Sequence, residues 1–500
     1  MNQPGERALA AEDSGTRSAR ERRRWRALLV LSVGQLMVVL DSTVVNVALP
    51  TIQRELHFSQ ASLAWVVNSY LITFGGLLLL GGRLGDLIGR KRLFLIGLGA
   101  FSATSMLCGE SSSAGVLVGA RFLQGVSAAL MSSMVLGVLS SMFPERKERT
   151  KALSVFAVVT MSGAALGLPL GGLLTELLSW HWIFFINVPI GVIALVLSSR
   201  LLDSHAGLGI RAGADLLGAL LVTTAPMLLV YALIEASTKG WGSTQTIALF
   251  VAVIALVAIF VAVESLVRTP LIPLRIFKNR NLVSANVVRL LFPMGAFGLN
   301  FLGSQLLQNV VGYSPLRTGL AFLPNSLLIA VVSLTCVPYL IERTGPKPLI
   351  LTGLVLISSG LLLLSRIPMH AGYIANILPS TLLIGIGLGL VFTPTVGVAL
   401  SDVAPAEAGL VSGFTNVSVQ MGGSIGVALL ASISAARTAH LFAQRLARPE
   451  ALVAGFHLGF LVAGACPAVA FLAAAVLLPP RRVGMEADVL ARAEALTILE

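Results

Sequence analysis

A chain of 500 residues that is 56% hydrophobic and only 12% charged has too little polar surface to cover a water-soluble globule. Its mean hydropathy of +0.88 points to an all-α polytopic membrane protein. The formal net charge of +12 is then expected in loops at one membrane face, not on a nucleic-acid surface.

A transmembrane helix needs about 20 apolar residues, and fourteen such runs follow along the chain. A basic tail, 1–26, leads into a run at 27–49 that is too long for a signal peptide and lacks a small-residue cleavage site, so it is expected to be a retained first span. Runs at 62–82, 93–110, 115–142, 152–178 and 182–201 complete a six-helix group over 27–201. Two more, at 215–234 and 247–267, lie in the segment 202–281, which carries few embedded polar groups. Runs at 282–311, 319–340, 349–365, 373–399, 408–433 and 456–478 form a second six-helix group over 282–478, ahead of a tail at 479–500. With the N-terminus in the cytoplasm, the great majority of the 35 Lys and Arg residues fall on the inner side. That asymmetry predicts both termini inside and an even number of spans. Arg437, Arg445 and Arg448, in the stretch 434–455, run against it.

Asp41, Arg121 and Arg289 fall inside spans, where an ionisable group near mid-span costs roughly 2.5–3.5 kcal/mol on insertion scales and is a functional candidate by default. Asp41 lies in the first; hydrocarbon disfavours the charged carboxylate, so the group can take up a proton from one side and release it to the other. The alternative is a structural Asp bonded to Ser42 or Asn46. Arg121, in the fourth span, shares a helix face with Gln124, Gly125, Ala128 and Ser132. A guanidinium stays protonated, so Arg121 can tune a carboxylate or hold water but not carry the proton; it could equally satisfy helix-end carbonyls. Arg289, in the ninth, either lines a cavity and favours anionic groups or, the preferred expectation, snorkels to the inner interface. Cys108, Cys336 and Cys466 are far apart, with no CxxC and no neighbouring His, and imply neither a disulfide framework nor a metal site. The scattered histidines count against a membrane enzyme.

The loop after the second span, "GRLGDLIGRKRLFLIG" (82–97), has an echo. "PYLIERTGPKPLILTG" (338–353) aligns to it without a gap, pairing Leu84 with Leu340, Gly89 with Gly345, Lys91 with Lys347 and Gly97 with Gly353, while Asp86 meets Glu342. Each copy joins the second and third spans of its group. Duplication of six spans marks a two-bundle transporter. In the fifth span, "SGAALGLPLGG" places Gly163, Gly167 and Gly171 at every fourth residue, a smooth stripe for close helix approach.

"G-x-L-x-D-x-x-G-R-K" at 82–91 resembles the signature loop of the major facilitator superfamily. With "LDSTVVNVALP" (40–50), "WVVNSYLI" (65–72), "ARFLQG" (120–125), "SWHWIFFINVPIG" (179–191) and "LLQNVVGYSPLRTGLAFLP" (306–324), the chain is similar to the fourteen-span drug:proton antiporter branch over about 27–478. The resemblance implies a major facilitator fold, two six-helix bundles with an inserted hairpin of spans seven and eight. It implies proton coupling through Asp41 and Arg121. It implies a gating loop of Gly82, Asp86, Gly89, Arg90 and Lys91, mirrored by Glu342 and Arg343, and an antiporter motif of Gly163, Gly167, Pro169, Gly171 and Gly172 that seals the bundle interface. Two departures stand out: Leu87 occupies the place of an Arg, and Pro169 comes one residue late, Leu168 taking the expected proline position.

Candidate cavity residues are the polar or aromatic groups that an apolar lining would not need: Met37, Trp65, Asn68, Asn300 and Gln308, each of which could also serve plain packing. A mostly apolar pocket favours lipophilic compounds. The expected function is proton-coupled export of lipophilic drugs by alternating access. Dedicated export of one metabolite, such as an antibiotic or siderophore, is the alternative. The partners expected are a small lipophilic substrate, protons and membrane lipid, with no nucleic acid, no metal and no cofactor beyond the proton gradient. The expected form is a monomer in the cytoplasmic membrane.

Overall fold

The computed structural model describes residues 4–203, 207–209, 215–267, 270–369, 371–403 and 407–478; the tail 479–500 lies outside them. Among these residues fourteen helices are long and apolar enough to cross a membrane. They are α1 (Pro4–Glu55, with Glu21–Glu55 as the span), α2 (Ala64–Ile88), α3 (Arg90–Gly109), α4 (Ala114–Met142), α5 (Arg146–Leu177), α6 (Trp182–Leu201), α7 (Leu216–Lys239) and α8 (Thr244–Leu266). The remainder are α9 (Arg280–Asn309), α10 (Pro315–Thr344), α11 (Pro346–Leu364), α12 (Tyr373–Leu400), α13 (Ala408–Ala443) and α14 (Arg448–Leu477). Helix is the dictated choice here, because hydrocarbon offers no partner for backbone N–H and C=O groups and a helix pairs them within its own segment.

Helices α1 to α6 pack into one bundle and α9 to α14 into another. The bundles meet along three seams, α5 with α10, α2 with α13 and α1 with α9. The inserted pair α7–α8 lies outside, with α7 on α2 and α13 so that it covers that seam. Gly76 of α2 permits this approach, since a Cβ there would stand 2.5 Å from the Thr223 hydroxyl. The few polar groups of the hairpin include two buried acidic side chains. Glu264 is 3% exposed and accepts from the Ile272 amide at 3.0 Å, and Asp215 caps α7 through the Gly218 amide at 2.7 Å.

The duplication read from the loops is built into the packing. Gly89 and Gly345, both at positive φ (99° and 79°), each turn the chain within one residue from one span to the next, a conformation favoured by glycine. Lys91 Nζ donates to the carbonyls of Ser199 and Leu202 at 2.8 and 2.5 Å, capping the end of α6. Its counterpart Lys347 donates to those of Ala475 and Leu478 at 2.8 and 2.7 Å, capping the end of α14. Unpaired carbonyls at a helix C-terminus attract such a cation. Gly97 and Gly353 repeat as well, as the crossing points of α3 on α4 and of α11 on α12: a Cβ would lie 2.7 Å from the Met131 nitrogen in one and 2.6 Å from the Gly387 oxygen in the other.

At the face opposite the chain's N-terminus, three hydrogen bonds join the bundles. Gln308 Nε2 donates to the Val47 carbonyl at 2.8 Å, the Leu316 amide to Glu176 Oε2 at 2.9 Å, and Gln60 Nε2 to Ser434 Oγ at 3.3 Å.

Candidate functional site

Asp41, on α1, is fully buried and stands against α4. Arg121 and Gln124 are three residues apart on α4 and therefore share one face. Arg121 Nη1 donates to Asp41 Oδ2 at 2.5 Å, and Gln124 Nε2 donates to Asp41 Oδ1 at 2.9 Å, so both carboxylate oxygens are held. Arg121 also donates to Gln124 Oε1 at 2.8 Å and, through Nε, to the Val66 carbonyl of α2 at 3.0 Å. Its guanidinium lies 4.3 Å from the centroid of the Tyr70 ring. Tyr70 in turn donates to the Val38 carbonyl of α1 at 3.3 Å.

The network extends through neutral groups. Ser105 Oγ, on α3, receives hydrogen bonds from Gln124 Nε2 and from Asn187 Nδ2 of α6, both at 3.2 Å, while Cys108 Sγ donates to Gln124 Oε1 at 3.4 Å. Five of the six helices of the first bundle thus contribute to one polar centre. Four separate sequence motifs converge there: the α1 stretch supplies Asp41, the α2 stretch Tyr70, the α4 stretch Arg121 and Gln124, and the α6 stretch Asn187. Local partners do not hold Asp41. Ser42 Oγ donates to the Val39 carbonyl at 2.8 Å and Asn46 Nδ2 to the Ser42 carbonyl at 3.1 Å, both within α1. Ser105 and Cys108 carried no signal in the sequence as members of this centre, since serine and cysteine in a span are compatible with ordinary packing, and Asn187 was visible only as part of the α6 stretch.

Chemically, the arrangement makes a proton and a guanidinium rivals for one carboxylate. Arg121 stays cationic at any physiological pH. The ionised carboxylate satisfies it in a dry site, where removing one partner of a buried pair typically costs about 3–5 kcal/mol. Protonated, Asp41 no longer offers that charge, and Arg121 is left with Gln124, Val66 and the Tyr70 ring. The Nη2 atom of Arg121 already has no hydrogen-bond partner among the described residues.

The loop residues gather at the N-terminal face. Asp86 Oδ1 pairs with Arg90 Nη2 at 3.2 Å, both side chains being about half exposed. Arg90 Nη1 reaches the Gly137 carbonyl near the end of α4 at 3.0 Å. The segment 207–209 is tied to the same loop: the Leu208 and Gly209 amides donate to the Asp86 and Leu87 carbonyls at 2.9 and 3.0 Å. Gly82 faces open space. In the second copy, Glu342 and Arg343 are exposed at the end of α10, and Arg343 stacks 4.1 Å over the Tyr339 ring.

The glycine motif divides between two neighbours. Gly163, Gly167 and Gly171 lie against Leu36, Thr43 and Val44 of α1, inside the first bundle. Gly172 alone of the four faces the other bundle, where a Cβ would stand 2.5 Å from the Pro315 carbonyl of α10. Pro169 joins it there, its Cα 2.9 Å from where a Cβ on Gly319 would sit.

The candidate cavity residues scatter. Met37 is 1% exposed and packs near Gly191 of α6. Asn68 is fully buried, and neither atom of its amide has a partner among the described residues. Trp65 and Asn300 are partly buried, and Gln308 spends its amide on the bond between bundles. Arg289 does not reach outward as a snorkelling side chain would: it is 1% exposed and donates to groups on α12 and α13, whose carbonyls lie within hydrogen-bond reach in the bundle interior. Among the described residues no three His, Cys, Asp or Glu side chains cluster as metal ligands would.

Comparison with known proteins agrees with this architecture. The chain is 40% identical over 457 residues to the puromycin resistance protein pur8 of Streptomyces alboniger, covering 91% of this chain and 90% of that one. It is 37% identical over 415 residues to the cephamycin export protein CmcT of Amycolatopsis lactamdurans, covering 82% and 85%. Among solved structures, the POT family transporter PepTSo superposes with a TM-score of 0.65 at 16% identity, over 91% of this chain and 98% of that one, a likeness of fold. The Major Facilitator Superfamily model matches residues 31–427, and the chain, a multi-pass membrane transporter by fold and relatives, belongs to that superfamily.

Proposed function

We propose that this protein exports lipophilic, antibiotic-like molecules from the cytoplasm across the cell membrane, in exchange for protons that enter through Asp41. The observation that carries the reading is the buried Asp41 carboxylate held by Arg121 and Gln124 at the meeting point of five helices. A structural ion pair alone has little reason to be there, since buried pairs seldom stabilise a fold more than apolar packing does. A carboxyl that trades its guanidinium for a proton, by contrast, changes the internal charge of one bundle, and with it the preference for one orientation over the other.

Basic loops mark the cytoplasmic side, so the N-terminal face is the inner one. The three hydrogen bonds between bundles then stand on the outer side. The two neutral bonds are worth about 0.5–1.5 kcal/mol net each and the one to the Glu176 carboxylate up to about 3 kcal/mol, small enough to break and reform in every cycle. In the outward-open form a proton reaches Asp41 and displaces Arg121; in the inward-open form the proton leaves and the ion pair closes again. Substrate enters from the cytoplasm or inner leaflet and leaves when the outer bonds part. The loop of Asp86 and Arg90, tethered by residues 207–209, couples the first bundle to the connecting hairpin during this movement.

The relatives support the substrate class: one is named for resistance to puromycin and the other for export of cephamycin. Those names, one compound each, also favour a second reading, dedicated export of a single antibiotic. A susceptibility panel with and without the protein separates the two, one compound affected against many.

The test of coupling is substrate-driven proton movement in inverted vesicles. Asp41→Asn is expected to abolish it while the protein remains folded and membrane-inserted. Undiminished antiport in that variant rules out Asp41 as the proton carrier.

A further inference from the structure

Arg289 lies on α9, in the interior of the second bundle. Its Nε donates to the Thr415 carbonyl of α13 at 3.2 Å, and its Nη1 to the Phe392 carbonyl and to Thr395 Oγ1 of α12, both at 3.2 Å. The guanidinium rests 4.9 Å from the centroid of the Phe392 ring. The polar side chains nearby are neutral, Ser418 Oγ donating to Asn286 Oδ1 at 2.9 Å. No carboxylate stands within ion-pair distance of Arg289 among the described residues, and its Nη2 makes no hydrogen bond there.

A guanidinium cannot shed its charge by deprotonation. Backbone carbonyls, a hydroxyl and a ring face soften the penalty of burying it but supply no opposite charge. The first bundle resolves the same difficulty with Asp41; the second leaves it open. Arg289 also adjoins the seam between bundles. The next residue, Leu290, packs with Leu78 of α2 and with Val417 and Met421 of α13, so parting the bundles gives access to the turn that carries it.

We infer that Arg289 is a recognition site for an anionic group, a carboxylate or its like, on the exported molecule, and that this residue selects for acids among lipophilic substrates. The inference rests on the export reading above. Nη1 already directs its two N–H groups at Phe392 and Thr395, so the Nη2 group is the donor left for a carboxylate oxygen, and the bond it would make is charge-assisted.

The test uses purified full-length protein in neutral detergent and matched probes: benzylpenicillin and 1-naphthoate, each against its methyl ester. Binding is read by tryptophan quenching. The wild type is expected to bind the acids at least tenfold more tightly than the esters, Arg289→Gln to lose that preference while retaining ester binding, and Arg289→Lys to keep part of it. Equal binding of acids and esters by the wild type, or an unchanged preference in Arg289→Gln, overturns the inference. So does a response to phosphatidylglycerol with none to the acids, which would make the site one for lipid. Thermal unfolding of both variants separates lost recognition from lost folding. Efflux of the uncharged dye Nile red from cells tests the export reading independently: its absence in the wild type would count against that reading, while the acid preference stands or falls on the binding measurements.

Discussion

Each bundle buries one arginine, and the two are treated in opposite ways. Arg121 meets a carboxylate, an amide and a tyrosine ring, whereas Arg289 meets two carbonyls, a hydroxyl and a phenylalanine ring. The scaffold around them is duplicated down to single residues, the lysine caps and the crossing glycines recurring at matched positions. The duplicated scaffold therefore sets where helices cross and end. Charge placement differs on it, with a buried ion pair in one half and an uncompensated cation in the other.

The sharpest way to break this comparison is to remove one charge from each bundle. Asp41→Ala strands Arg121 in a dry site and is expected to cost about 3–5 kcal/mol of stability. Arg289→Met removes a charge with no counter-charge and is expected to be neutral or stabilising. Thermal unfolding in detergent reads both, and equal losses would erase the distinction. The lysine caps test the opposite expectation, sameness: Lys91→Ala and Lys347→Ala each forfeit two charge-assisted hydrogen bonds and should each cost roughly 1.5–3 kcal/mol. A large loss in one copy alone would mean that the duplication is geometric and not energetic.

Smaller effects sharpen the seam. Gly172→Ala would push a methyl into the Pro315 carbonyl and is expected to weaken closure of the opposite face by about 1–3 kcal/mol. Gly163→Ala meets only the end of the Leu36 side chain, which can yield. Labelling of a cysteine placed near Glu176 should rise in the first variant and not in the second. Asp86→Asn removes a half-exposed pair with Arg90 and should change stability by no more than about 0.2–1 kcal/mol. Any larger loss of transport in that variant would then report gating and not folding.

The sequence by itself determined the number of spans, the six-helix repeat and the residues that carry charge into the membrane. Each of these is a local matter: a run of apolar residues must form a helix to pair its own backbone, and a lone Asp or Arg in such a run is visible wherever it points. Tertiary structure alone decided the partners. Asp41 turned from Ser42 and Asn46 to residues on another helix, Arg289 turned inward instead of to the interface, and three glycines of the α5 stripe met α1 while Gly172 met α10. Between helices in lipid, close packing and interhelical hydrogen bonds choose the neighbour, and both depend on surfaces assembled from residues far apart in the chain. No periodicity within one span records which surface it will face.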